Sequence, residues 1–289
     1  MTTIRRLIPP MIAGSALLVG ATACGDKFLQ VTNPNVIDAA TVNAAASAAA
    51  LANTTQQNFA TELGMTAMFE SHFTGETYII ETSSSQNEFG KREVSVDNGT
   101  LNGRWAGLEL AASSGKILLD LTLPNAASNV NVARAAAFRA YAILYIAIDF
   151  CSGTLSSGPE LSTTQLLDSA IVWFTRAIDA GTANATADGS NLARAALVGR
   201  ARAKLQKGDK TGALADANLV PAGFNFNLTF QDDLTNRARL SNTMWRFTVD
   251  RGTISVPPPT PRSPEVAPTA TPNATSTAKS VSPFMSAPR

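Results

Sequence analysis

Cys24 is the residue of this 289-residue chain whose neighbours define its chemistry most sharply. It closes the run Ala21-Thr22-Ala23-Cys24, which has the form of a lipobox. Small side chains there let a peptidase grip the backbone, and the thiol carries a diacylglyceryl group. Upstream lie Arg5 and Arg6, then a short apolar stretch interrupted by Pro9, Pro10 and Gly14. A positive start, an apolar stretch and small residues before a cut site form the pattern of an export signal. The stretch is too short to be a membrane-spanning helix, which needs ~20 apolar residues. Residues 1–23 are therefore expected to be a signal peptide, with lipid-bearing Cys24 the first residue of the mature chain. The alternative is an ordinary secretory signal with Cys24 beside the cut by chance. One acyl chain anchors a protein only marginally, but each buried CH₂ adds ~0.8 kcal/mol, so two or three chains hold it durably. Gly25 follows the cysteine and Asp26 comes one later, so the Asp at the second position that often retains lipoproteins at the inner membrane is absent. That leaves the outer membrane open as destination.

The remaining candidates for chemistry are sparse. His72 is the chain's one histidine, so any Ser-His-Asp or Cys-His arrangement would have to use it, and no Gly-x-Ser-x-Gly elbow accompanies it. It reads instead as a surface or helix-end histidine. Glu70, Glu76 and Glu81 lie near it in sequence and are the candidates for a two-carboxylate glycosidase site, although acidic residues in such places are usually solvated. Cys151 follows an apolar run and reads as a small buried core residue. With Cys24 acylated it has no disulfide partner. No metal-binding, phosphate-loop or dinucleotide motif is present, so no metal or cofactor is expected. Among the aromatic residues, Tyr141, Tyr145 and Trp173 lie on apolar helical stretches and are expected in the core. Tyr78, Phe89 and Trp105 are the rings that could stand exposed and stack on a sugar.

The elements that must position these residues are helical. Hydrophobic residues make up 45% of the chain, enough for a substantial core. Its formal charge of +1 loses Arg5 and Arg6 with the signal, and a near-neutral mature chain lacks the basic field that nucleic-acid binding requires. Residues 24–40 form a lipidated tether ending in the turn Asn33-Pro34-Asn35. The alanine-dense stretch after it predicts a helix over Thr41–His72, capped by Asp38 or Thr41 and interrupted near Gly64. Thr74–Asn98 is polar and reads as a long loop. Further helices are expected over Leu101–Leu121, Val132–Phe150, Thr164–Ala180, Asn191–Lys207 and Lys210–Leu219. The run Ala140–Ile148 is apolar all round and about half the length of a membrane span, which predicts a buried core helix. Two-residue alternation is not sustained anywhere, so strands should be few. Residues 257–289 hold nine of the fifteen prolines among Ser, Thr and Ala, a composition expected to be disordered.

Ala170, Phe174 and Ala177 have the spacing of the second helix of a tetratricopeptide unit. Lys207-Gly208-Asp209 followed by Ala213 resembles that unit's turn and the start of its next helix. Small residues at 170, 177, 213 and 217 let antiparallel helices approach, and Gly208 permits the sharp turn. The fold class is thus mostly α: a helical-hairpin, tetratricopeptide-like scaffold with long loops, spanning residues 41–256.

Several ordered features resemble the SusD/RagB family of surface glycan-binding lipoproteins. They are Cys24 followed by Phe28-Leu29 and Asn33-Pro34-Asn35, Arg104-Trp105 in the second predicted helix, and Ala133 to Tyr141 ahead of the apolar core. Gly158-Pro159-Glu160-Leu161, Asn191 to Arg202 and Ala215 to Pro221 complete the likeness, which runs from Cys24 to about Val256. The resemblance implies an α-helical, non-enzymatic lipoprotein anchored at the outer membrane, which would bind an oligosaccharide or peptide and cap a TonB-dependent transporter barrel. No ligand residues carry over, because the family's ligand site has no motif to match. Family members are longer, and the family-like text stops where the Pro-rich composition begins. The resemblance therefore also implies an incomplete domain, with residues 257–289 arising from a shifted reading frame or a truncated gene. The alternative function is a tetratricopeptide-like envelope scaffold that binds protein partners.

Overall fold

The computed structural model describes residues 43–231, 235–236 and 240–256. The expected signal peptide, Cys24, the tether with Asp38 and Thr41, and the tail from 257 lie outside the described residues. The described chain is mostly helical, as the sequence predicts.

Helix α1 (Ala44–Thr74) starts at Asn43, whose side chain accepts the Ala46 N–H at 3.0 Å, and ends at Gly75 in the left-handed region (φ 83°). It does not break at Gly64. A Cβ at that position would stand 2.9 Å from Thr243 Cβ, so the missing side chain is what lets the distant segment around Thr243 lie on the helix. The expected loop after α1 is also not irregular throughout. It contains the two-residue strand β1 (Tyr78–Ile79) and helix α2 (Ser84–Lys91). The sequence of α2 is polar, and it is held by Phe89, which packs 4.7 Å from the Phe69 ring of α1. Asn98 then caps helix α3 (Gly99–Leu119), accepting from the N–H groups of Thr100 and Leu101 at 2.8 and 3.0 Å.

Helix α4 (Val130–Asp149) is long and apolar enough to cross a membrane by composition, but it is the centre of the bundle. Helices α1, α3, α5 (Thr163–Ala183) and α6 (Ala187–Gln206) pack around it. Phe59, Phe138, Tyr141 and Phe174 meet there, with Phe59 stacked 5.5 Å from Tyr141 and Phe174 edge-on at 4.8 Å. The Tyr141 hydroxyl donates to the Ala195 carbonyl at 2.7 Å, which satisfies a polar tip that would otherwise be stranded. Burial raises the pKa of that phenol well above its usual range.

Helix α5 opens with a reciprocal capping box between Ser162 and Gln165. It is joined to α6 by a short link, and α6 to α7 (Lys210–Asn218) by a turn in which Gly208 takes φ 90°. Ala170, Phe174, Ala177 and Ala213 are all buried. Asp216 of α7 reaches back to α6, bound by Arg200 at 2.7 and 2.9 Å and by Lys204 at 2.8 Å.

The last described segment returns to α1. It forms a short helical turn, α8 (Thr243–Trp245), runs into a π-helical turn over Arg246–Asp250, and ends in strand β4 (Ile254–Ser255). Strand β4 pairs antiparallel with β1, Tyr78 opposite Ser255 and Ile79 opposite Ile254. Met68, Phe69, Phe89, Phe247 and Ile254 make a second, smaller apolar cluster under this ribbon. A second ribbon joins β2 (Ser152–Gly153) to β3 (Leu161–Ser162) between α4 and α5.

Candidate functional site

The chain leaves helical geometry at Phe150 (φ −126°, ψ 144°) after the buried run of α4. That turn opens a groove of about 280 Å³ at the end of the bundle. Asp149 lines it from the end of α4, Phe150 and Cys151 from the residues just beyond, Thr163 and Leu167 from α5, and Gln206 from α6. Its frame is fixed on both sides. The Thr163 hydroxyl donates to the Cys151 carbonyl at 2.9 Å, and Trp105 of α3 meets Phe150 edge-on at 5.1 Å.

Asp149 gives the groove its electrostatic character. The protein packed around its carboxyl pushes its pKa up to about 7, and the charge of Glu70 and a hydrogen bond with it push the same way. Arg202 opposes them. Asp149 therefore keeps its proton to near neutrality. Arg202 is itself held by the Tyr145 hydroxyl at 3.1 Å and lies over the Tyr145 ring at 5.1 Å. The groove therefore offers the Asp149 carboxyl, the Thr163 hydroxyl, the Gln206 amide and an apolar wall at Leu167. Such a set can bind hydroxyls or peptide amides.

Glu70 thus pairs with Asp149, not with Glu76 or Glu81. Glu81 is taken by Arg251 at 2.7 Å.

Other expected positions are corrected. Cys151 is exposed, because it lies beyond the end of α4 and outside its buried run. His72 does end a helix, but it is buried, 1% exposed, under the β1–β4 ribbon. Phe89 is buried by Phe69 and cannot serve as an exposed stacking ring. Tyr78 is exposed, Trp105 is half-buried against the core, and Tyr141, Tyr145 and Trp173 pack on the core as expected. Trp173 lies between the guanidinium groups of Arg139 and Arg176, at 5.0 and 5.4 Å. Among the described residues no group of three or more His, Cys, Asp or Glu side chains could hold a metal ion. The groove itself was not legible beforehand, since its walls come from the ends of three helices and its carboxyl partner from a fourth.

No family model, no curated protein and no solved structure matches the chain.

Proposed function

We propose that this chain is a lipid-anchored outer-membrane protein, similar to SusD/RagB lipoproteins, that binds an oligosaccharide or peptide and delivers it to a TonB-dependent transporter barrel. The observation that carries the reading is that, among the described residues, helical segments behind the resemblance hold one another in a single frame. Arg104 of α3 pairs with Glu62 of α1, and Arg139 of α4 donates to the Ala112 carbonyl of α3. Tyr141 donates to Ala195 of α6, and Arg200 of α6 binds Asp216 of α7. The likeness is thus spread over residues that contact each other, not over unrelated stretches. Helices α5 to α7 fit a tetratricopeptide-like pair of hairpins, with small residues at the helix contacts and Gly208 at the turn. The groove at Asp149 is the place where a ligand would find hydrogen-bond partners.

The test is binding of the full chain to a panel of oligosaccharides and peptides across neutral pH. A ligand that uses the Asp149 proton should bind less well above about 7, where Asp149 ionises. Asp149→Asn should flatten that dependence. Absence of binding across the panel would contradict the ligand-binding reading.

The scaffold reading has its own support. Val172, Leu205, Leu214 and Leu219 stand exposed on α5, at the end of α6 and on and just after α7. Capture of soluble envelope proteins that is lost in Leu214→Asp, with no ligand bound, would favour it.

A further inference from the structure

Buried His72 at the end of α1 has no part in the groove, and its hydrogen bonds decide which nitrogen carries the proton. Ser71 Oγ lies 2.7 Å from the Met68 carbonyl, which can only accept, so the serine proton points there. Ser71 and Thr77 hydroxyls are 2.6 Å apart, so the Thr77 proton goes to Ser71. Thr77 Oγ1 has then only a lone pair to offer His72 Nδ1 at 2.8 Å, and Nδ1 must be the donor. Nε2 is left bare, buried and without a hydrogen-bond partner. The Phe69 ring lies edge-on to the imidazole at 6.0 Å. A further proton can land only on Nε2, where it creates a buried cation whose new N–H has nothing to bind.

We propose that His72 is a proton-operated latch: proton uptake at Nε2 drives the imidazole out toward water, pulls Thr77 with it, and loosens the β1–β4 ribbon from α1. Thr77 immediately precedes β1, and β1 is tied to the return segment by the β4 pairing and by the Ile80 N–H to the Thr253 carbonyl at 2.9 Å. Opening at Thr77 is thus passed to residues 240–256.

The charges on the surrounding elements are engaged elsewhere or lie outside the imidazole's field. On α1, Glu62 pairs with Arg104 of α3, and Glu70 bonds to Asp149. Arg92, after α2, donates to the Phe73 and Thr74 carbonyls, while Glu88 of α2 accepts from Ser95 and Asn98. In the return segment Arg246 and Arg251 lie over the Phe247 ring, and Arg251 pairs with Glu81. Glu76, Lys91, Glu93, Asp97 and Asp250 complete the set. Among the described residues none of these charges acts on the imidazole; burial lowers its pKa and a hydrogen bond to the Thr77 backbone raises it, with burial the stronger. The sign follows. A histidine harder to protonate when folded gives stability that is whole above the ordinary value of about 6.5 and is lost as pH falls from there through the folded value.

Because the chain has one histidine, ring resonances of the full chain are unambiguous. Imidazole chemical shifts at neutral pH should be those of the Nδ1–H tautomer, with a titration midpoint below 6.5. Amide exchange at Ile79, Ile80 and Ile254, corrected for the intrinsic pH effect, should rise up to about tenfold for each pH unit between the ordinary and folded midpoints. Amides of α4 should not follow. In His72→Asn the side-chain amide takes the place of Nδ1 toward Thr77 and cannot take up a proton, so the acid-driven rise should vanish. An Nε2–H tautomer, a midpoint at or above 6.5, or an undiminished rise in His72→Asn would overturn the proposal. If that variant does not fold, the wild-type shifts and exchange rates decide alone.

Discussion

At the scale of single residues, Asp216 shows how a buried charge is kept. Its side chain is 4% exposed, and the two cations of α6 supply the contacts that water would otherwise give. Burial alone would raise its pKa, but hydrogen bonds from Arg200 and Lys204 outweigh that and hold it below the usual carboxylate range. The stability from this carboxylate is therefore present above about pH 3.9 and is lost as pH falls through its folded value. Asp216→Ala leaves Arg200 and Lys204 facing each other with no anion between them. Urea unfolding should show a loss on the order of 3 kcal/mol, and a loss within ~0.5 kcal/mol would mean that α7 is held mainly by apolar contacts. Asp216 gave no sequence signal as a buried ion, because only the packing of α7 on α6 supplies its partners. The same limit applies to His72, Phe89 and the pairing of Glu70 with Asp149. Each depends on a residue from another element, and a residue's own neighbours in sequence do not show it.

At the scale of elements, α1 and its return segment are coupled through Gly64. Helix propensity counts a mid-helix glycine as a weakness and so predicts an interruption there, but the helix continues because Thr243 occupies the space a side chain would take. Gly64→Leu should drive residues 240–256 off the helix at a cost of ~1–3 kcal/mol. Limited proteolysis should then cut that segment sooner while the α4–α6 amides keep their protection. Unchanged cleavage would show that the contact is not needed. Helices α3 to α7 were legible within a few residues, because alanine-rich apolar periodicity and the Gly208 turn are local signals. Helix α2 and strands β1 and β4 were not, since they are short and polar or held by partners at the far end of the described chain.

At the scale of the whole molecule, the helical frame supplies a rigid support, the groove at Asp149 supplies a polar site, and the proposed anchor at Cys24 supplies proximity. Tethering two partners to one membrane raises their effective concentration, so modest contacts would suffice for the proposed docking on a barrel. The proposed function requires that partnership. Affinity capture of the full-length, lipidated chain from solubilised outer membranes should recover a large TonB-dependent β-barrel protein, and Cys24→Ser should recover much less of it. Capture that brings down no barrel with the lipidated chain, or equal amounts with and without Cys24, would contradict it.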